Sequence, residues 1–126
     1  MEFALVLPIL LLLIFGIVEL GVGLYDKAVI TNASREGARV GIVLKSPKAS
    51  SQDITNAVLN YTSNYLLTFA NQAPPSVNVT QSSPSTFGTP LTVTVSYRYT
   101  GLGLGQLLSA LAGPITLSAT TVMNNE

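Results

Sequence analysis

Apolar and polar positions divide the chain into a hydrophobic N-terminal segment and a longer region of mixed patterning. Residues 3–24 are apolar apart from Glu19, and about 20 such residues cross the hydrocarbon core of a bilayer. A polar helical stretch follows directly and ends before Pro47, because the residue that precedes a proline disfavours helix. We therefore predict one long helix over residues 3–44.

This helix is predicted to have two parts, a membrane span in residues 1–24 and an amphipathic stem in residues 25–45. Pro8 removes one backbone hydrogen bond, so we predict a bend in the helix at this position. A secretory signal peptide has a basic front end and a shorter apolar core, so we expect a retained span. Three glycines weaken the helix where it leaves the bilayer, and a break there would separate span from stem: Gly16, Gly21 and Gly23.

Residues 46–126 are predicted to form one small globular domain. Ser50 and Asp53 have the spacing of a capping box and open a second helix, whose apolar face recurs at three- and four-residue intervals. We expect this helix to end near Gln72, just ahead of two prolines.

The pattern then changes to the two-residue alternation of β-strands. Three runs show it, residues 77–80, 91–99 and 115–122, and residues 104–111 between the last two fit a short amphipathic helix. The predicted fold class is α+β: a long N-terminal helix, then a second helix packed on a small three- to four-stranded antiparallel sheet.

Composition excludes several classes of function. Six basic and six acidic residues balance each other, so we expect no nucleic-acid partner. The chain has no cysteine and no histidine, which removes the usual zinc ligands and the side chains most used in acid–base and nucleophilic catalysis. We therefore expect a protein that is not an enzyme and that holds no cofactor and no metal.

The stem carries a row of small residues at four-residue spacing, Ala33, Gly37 and Gly41. Such rows let two helix backbones approach closely. One interpretation is that the glycines make room for the protein's own sheet. The alternative is close packing between the helices of different subunits, and both can hold on different faces of one helix.

Charged residues surround this row: Asp26, Lys27, Arg35, Glu36 and Arg39. Glu36 and Arg39 have the i,i+3 spacing of an ion pair, which offsets the repulsion between Arg35 and Arg39. The group is either a solvated face, with its basic residues at lipid headgroups, or a set of salt bridges between subunits.

Two acidic residues lie in the apolar segment. Glu19 is costly in a bilayer unless it reaches the headgroups or faces a partner, and the headgroup position is the simpler interpretation. Glu2 adjoins the α-amino group of Met1, and a carboxylate and an ammonium that neutralise each other in an apolar bundle can set the register between subunits. The glycines of 101–105 lack the residues of a phosphate loop and predict a turn with apolar contacts.

Two blocks together resemble a known family: Glu2–Gly16, beginning EFALVLP, and Thr31–Arg39, which contains NASREGAR. They are similar to the TadE-like family of pilin-like proteins, which belong to bacterial tight-adherence secretion systems. The resemblance implies processing by a prepilin peptidase and extraction from the inner membrane into a filament. It also implies that Glu2 matches the acidic residue of pilins that meets the N-terminal amine of a neighbouring subunit.

Our leading hypothesis is a structural subunit that inserts in the bacterial inner membrane and polymerises with copies of itself into an extracellular filament. The alternatives are a minor pseudopilin at the base or tip of a tight-adherence pilus, and a monomeric membrane-anchored envelope protein with a binding domain. The residues expected in subunit contacts are Met1, Glu2, Phe3, Pro8, Phe15, Gly16, Glu19, Ala33, Gly37 and Gly41.

Overall fold

A computed structural model describes residues 1–69 and 73–126, apart from the side chains of Glu2, Leu108 and Ala112. It shows the expected α+β fold, in which a long helix and a second helix precede a three-stranded antiparallel sheet. The elements are α1 (Glu2–Ile42), α2 (Ser51–Tyr65), β1 (Ser76–Gln81), β2 (Pro90–Tyr99), α3 (Leu104–Ala112) and β3 (Ile115–Asn124).

Helix α1 runs for 41 residues without interruption. The break expected near its glycines does not occur, since the helix continues through Gly16, Gly21 and Gly23. Two of these positions are supported by the rest of the chain, because Gly16 lies against Leu104 and Gly23 against the ring of Tyr99. Tertiary packing therefore outweighs the low helical propensity of glycine here.

Helix α2 begins at the predicted capping box and ends earlier than predicted. The Ser50 side chain accepts a hydrogen bond from the Asp53 N–H, and the Asp53 carboxylate accepts one from the Ser50 N–H. The helix stops at Tyr65 rather than near Gln72, and Gln72 itself lies outside the described residues.

The early end of α2 is produced by two side chains of α1. The Tyr25 hydroxyl donates to the carbonyl of Tyr65 at 3.0 Å, and the Asp26 carboxylate accepts the N–H of Leu67 at 3.0 Å. The chain leaves α2 at Leu66 with extended backbone angles. Side chains of α1 thus form the hydrogen bonds of the backbone groups at the end of α2. The sequence pattern of α2 alone does not predict these bonds, because their partners lie in another helix.

The sheet has the order β1-β2-β3, with antiparallel pairing throughout. One face of the central strand β2 is apolar and buried, and its residues are Leu91, Val93, Val95, Tyr97 and Tyr99. The opposite face is hydroxyl-rich: Thr94 lies opposite Thr120, and Ser96 lies opposite Ser118. Only one face of the sheet therefore belongs to the core.

The core lies between the buried sheet face and the two long helices. Helix α1 contributes Ile30, Ala33 and Ala38, and α2 contributes Ile54 and Val58, all of which are buried. The first half of α1 takes no part in this core and extends beyond the domain.

Candidate functional site

The free half of α1 is an apolar rod. Between Phe3 and Phe15 each residue is exposed, and Phe15 itself has 60% of its surface exposed. An 18-residue window of this helix has a mean hydropathy of 2.8 and no part of it is buried, so among the described residues one helix is long and apolar enough to cross a membrane. A surface of this kind needs lipid or protein around it.

Several residues expected in subunit contacts lie on this rod. Met1, Phe3, Pro8 and Phe15 are exposed and contact no part of the domain core. The side chain of Glu2 lies outside the described part of the chain, so its pairing with the amine of Met1 stays a prediction. The rod is therefore free to contact other molecules along its whole length.

Glu19 marks the level at which the domain begins. Its carboxylate accepts a hydrogen bond from the N–H of Leu102 at 2.9 Å and one from the Tyr99 hydroxyl at 3.3 Å. Tyr99, at the end of β2, lies 80 residues further along the chain, and Leu102, in the loop that follows, lies 83 residues further. Glu19 is thus bound by its own domain, a contact that neither interpretation of the sequence included.

Two glycines make this contact possible. Gly101 has a φ of +69°, a conformation that residues with a side chain rarely adopt, and a Cβ there would overlap the Glu19 carboxylate. A Cβ at Gly105 would also approach the same carboxylate oxygen. The glycine-rich stretch was predicted to be a turn with apolar contacts. In the structure it bends at residues 102–103, enters α3 at Leu104 and lies against the Glu19 carboxylate.

Tyr99 is the electrostatic counterpart of Glu19. Burial raises the pKa of the Tyr99 phenol to about 12, and the nearby negative charge of Glu19 and the hydrogen bond to it act in the same direction. The phenol therefore stays protonated and remains a hydrogen-bond donor at neutral pH. Its hydroxyl also lies 3.3 Å from the main-chain carbonyl oxygen of Glu19.

The small-residue row packs on the chain's own domain. A Cβ at Gly37 would overlap the Val58 side chain of α2, and a Cβ at Gly41 would lie 2.7 Å from the Ile54 Cδ1 atom. Ala33 is fully buried. The face that carries this row is covered by α2 and the sheet, as in the first interpretation of the sequence, and a role of the row in subunit contacts stays a prediction.

The charged residues of the stem have different environments. Glu36 and Arg39 form the ion pair expected from their spacing, at 2.6 Å, and Arg39 lowers the pKa of the Glu36 carboxyl by donating hydrogen bonds to it. Lys27 donates to the main-chain carbonyl of Ser118 on the edge strand β3. Arg35 is exposed and has no ion pair within the described part of the chain.

Asp26 is buried within the domain, and a salt bridge between subunits at this position stays a prediction. One carboxylate oxygen accepts the N–H of Leu67, and the other has no hydrogen-bond partner among the described residues. Burial raises the pKa of the Asp26 carboxyl, against the smaller opposing effect of the Leu67 hydrogen bond. Asp26 therefore forms a hydrogen bond just beyond the end of α2, and the burial of its charged carboxylate is unfavourable for the stability of the domain.

A groove of about 650 Å³ lies between α1, the start of α3 and the edge strand β3. Its lining is mostly apolar, with Lys27 among the lining residues. Because Gly16 and Leu20 also line it, the groove is continuous with the apolar rod. The rod and this groove form the main apolar surface of the described structure.

Comparison with known proteins places the N-terminal half of α1 and most of the stem in a recognised group. No curated protein and no solved structure matches the chain. Residues 1–39 match the family model of the TadE-like protein, the family suggested by the sequence, so this part of the chain is similar to TadE-like proteins.

Proposed function

We propose that this chain is a structural, non-enzymatic pilin-like subunit. It is anchored in the bacterial inner membrane by α1 and then polymerises through this helix into an extracellular pilus-type filament. One observation carries the proposal: residues 3–15 form an exposed apolar rod, while the second half of the same helix is packed in the domain. The match of residues 1–39 to the TadE-like family supports it.

The physical argument concerns what covers the rod. In the membrane, lipid tails surround the apolar side chains. Outside the membrane, each large apolar side chain left in water costs about 1.5 to 3 kcal/mol relative to full burial, so the rod needs another apolar surface. The rods of neighbouring copies supply one, since they carry the same exposed residues.

The charge and polarity of the domain agree with a position on the outside of such a filament. The hydroxyl-rich face of the sheet points away from α1, and the Glu36–Arg39 ion pair lies on an exposed part of the stem. These groups are suited to water rather than to a helical bundle. We further propose, on the family resemblance, that a prepilin peptidase and the tight-adherence secretion machinery act on the chain before assembly.

Two phenylalanines provide a matched pair for testing the proposal. Phe15 lies on the rod and Phe87 in the β1–β2 loop, and both are exposed, by 60% and 88%. Truncation of a well-packed interface residue costs more than about 1.4 kcal/mol, which is a tenfold change in affinity. We expect Phe15→Ala to reduce the yield of filaments sheared from cells about tenfold and Phe87→Ala to leave it unchanged.

The measurement is electron microscopy of sheared surface material, with immunoblots of the membrane fraction as a control for expression. Equal filament yields in the two variants would contradict polymerisation through the rod. A wild-type protein that stays in the membrane fraction and forms no filaments in a strain with intact machinery would instead indicate a monomeric anchored envelope protein.

A further inference from the structure

We propose that α3 and the loop before it form a second membrane-contacting surface, which holds the domain in the acyl-chain layer of the adjacent leaflet. The partner is the lipid bilayer that surrounds the rod before assembly. The inference goes beyond filament formation and depends only on the anchoring of α1.

The first argument is the depth at which the domain begins. Leu104, the first residue of α3, lies beside Gly16. Helix α1 stays apolar and exposed beyond this level, at Ile17, Leu20 and Leu24, and residues 17–24 add roughly 12 Å of helix. The apolar surface of α1 therefore runs past the start of α3, so a bilayer that surrounds this surface also reaches α3.

The second argument is the chemistry of this surface. Leu102, Leu107 and Leu111 are exposed by 48%, 64% and 87%, although they lie in the domain rather than on the rod. The sequence from Tyr99 to Asn125 contains no charged residue. Exposure of this apolar surface to water is unfavourable. Because the element carries no charge, it can enter the boundary between headgroups and acyl chains at little electrostatic cost.

The third argument concerns Glu19, the charged residue at the same level. A carboxylate is costly in an apolar environment unless hydrogen bonds satisfy it. The Leu102 N–H and the Tyr99 hydroxyl supply two such bonds, and the closely approaching Gly101 and Gly105 shield the group. Glu19 also ties the loop to α1, which fixes α3 at its depth along the rod.

The groove beside α1 continues this surface in the direction of the domain. It begins next to Gly16 and is lined mostly by apolar residues of α1, α3 and β3. Glu19, which its own loop binds, lies in the lining near this end, and Lys27 lines the groove further along the same helix. A lipid tail fits the apolar part, and a headgroup phosphate suits the lysine, since cations at the interface attract anionic lipid groups. Lipid therefore matches both the rod and the groove, which are continuous.

The test uses the absence of native cysteine to place single fluorescent probes. A polarity-sensitive thiol dye is attached to Leu107→Cys, to Leu10→Cys on the rod and to Phe87→Cys in the β1–β2 loop. All three native side chains are exposed, so the substitutions leave the core intact. The full chain is reconstituted at low density in phosphatidylcholine vesicles whose acyl chains are brominated close to the glycerol, and near-ultraviolet circular dichroism of the tyrosines checks folding.

We expect the dye at Leu107 to be quenched by brominated lipid and protected from aqueous iodide, as at Leu10, with the opposite behaviour at Phe87. Identical behaviour at Leu107 and Phe87 would overturn the inference. The inference would also be overturned if the dye at Leu107 were protected from iodide but not quenched by brominated lipid, and if this protection disappeared when the protein is diluted in lipid. That result would mean that a second copy of the chain covers α3. A dye at Leu10 that is not quenched would overturn the anchor and this inference together, whereas a failure to form filaments would leave the vesicle result unaffected.

Leu111→Cys provides an independent second position, since this leucine is even more exposed than Leu107. The inference requires lipid quenching at both positions of α3. Quenching at neither position, with normal quenching at Leu10, would limit the membrane contact to α1.

Discussion

The close packing of α1 against α2 predicts that the same substitution has opposite effects at two glycines of one helix. A Cβ at Gly37 would overlap the Val58 Cγ2 atom and lie 3.5 Å from both Ile54 Cγ2 and Val93 Cγ1. Val58 is β-branched and lies inside α2, so its side chain has one strongly preferred rotamer and cannot turn away. A Cβ at Gly21, by contrast, would meet no atom within 4 Å.

The expected magnitudes follow from these distances. Overpacking of a close-packed core costs about 1 to 3 kcal/mol, and replacement of glycine by alanine in a helix returns about 0.5 to 1 kcal/mol. Gly37→Ala should therefore destabilise the domain by up to about 2.5 kcal/mol, and it should be about 1 to 3 kcal/mol less stable than Gly21→Ala, which has the same helical gain without the overpacking. Gly21→Ala should leave its stability unchanged or raise it by up to about 1 kcal/mol.

Thermal unfolding of the full chain in detergent micelles measures this difference. The five tyrosines lie at positions 25, 61, 65, 97 and 99, so near-ultraviolet circular dichroism reports on the domain rather than on the rod. For a domain of 60–100 residues, 1 kcal/mol corresponds to a shift of about 4 to 8 °C in Tm. A Gly37→Ala protein as stable as Gly21→Ala would refute the close α1–α2 contact, and would make the small-residue row available to another subunit.

Two further predictions concern the other polar contacts of α1. Gly101→Ala should destabilise the domain by about 1 to 3 kcal/mol, because alanine disfavours a positive φ and its Cβ would displace the Glu19 side chain. Gly103→Ala is the control, since a Cβ at Gly103 would meet no atom within 4 Å. Equal Tm values for the two variants would contradict the contact between Gly101 and Glu19. Asp26→Asn should remove a pH dependence of stability. Burial raises the pKa of the Asp26 carboxyl above 3.8, so the folded protein binds this proton more tightly than the unfolded chain does. The free energy of unfolding of the wild type therefore falls as the pH rises from 3.8 through the raised pKa of the folded state. The fall is about 1.4 kcal/mol for each unit by which the pKa is raised. Urea unfolding from about pH 4 to about pH 8 should show this fall in the wild type relative to the variant, and parallel curves would contradict it.

Local patterns in the sequence were sufficient for the elements and their order. The capping box of Ser50 and Asp53 fixed the start of α2, and the two-residue alternation located each of the three strands, since both signals depend on neighbours in the chain. The short amphipathic helix after Gly103 was also confirmed. These features are determined by hydrogen bonds and periodicity within one segment.

The features that the sequence did not predict depend on contacts between distant segments. The end of α2 is set by Tyr25 and Asp26, some 40 residues earlier in the chain. The contact between Glu19 and the N–H of Leu102 spans 83 residues. The small-residue row was recognised, but its spacing is the same whether it faces another subunit or its own domain, and only the packing of Gly37 on α2 distinguishes the two.

In the proposed function, one helix serves first a membrane and then an assembly, and the fold offers a physical basis for this. Its second half is fixed in the domain by the glycine contacts, by Asp26 and by Glu19, so the exposed first half projects in a defined direction. A rod held in this way keeps its orientation when lipid is replaced by neighbouring copies. The rigid connection between domain and rod is therefore a central part of the proposed function.

The most direct test of the proposal is a helical reconstruction by electron microscopy of filaments sheared from cells that express this chain. We expect the rods of residues 3–15 to be buried against one another at the filament axis, with the hydroxyl-rich face of the sheet, including Thr94 and Thr120, on the outside. Filaments in which the rods are exposed and the copies meet through their sheets would contradict polymerisation through α1.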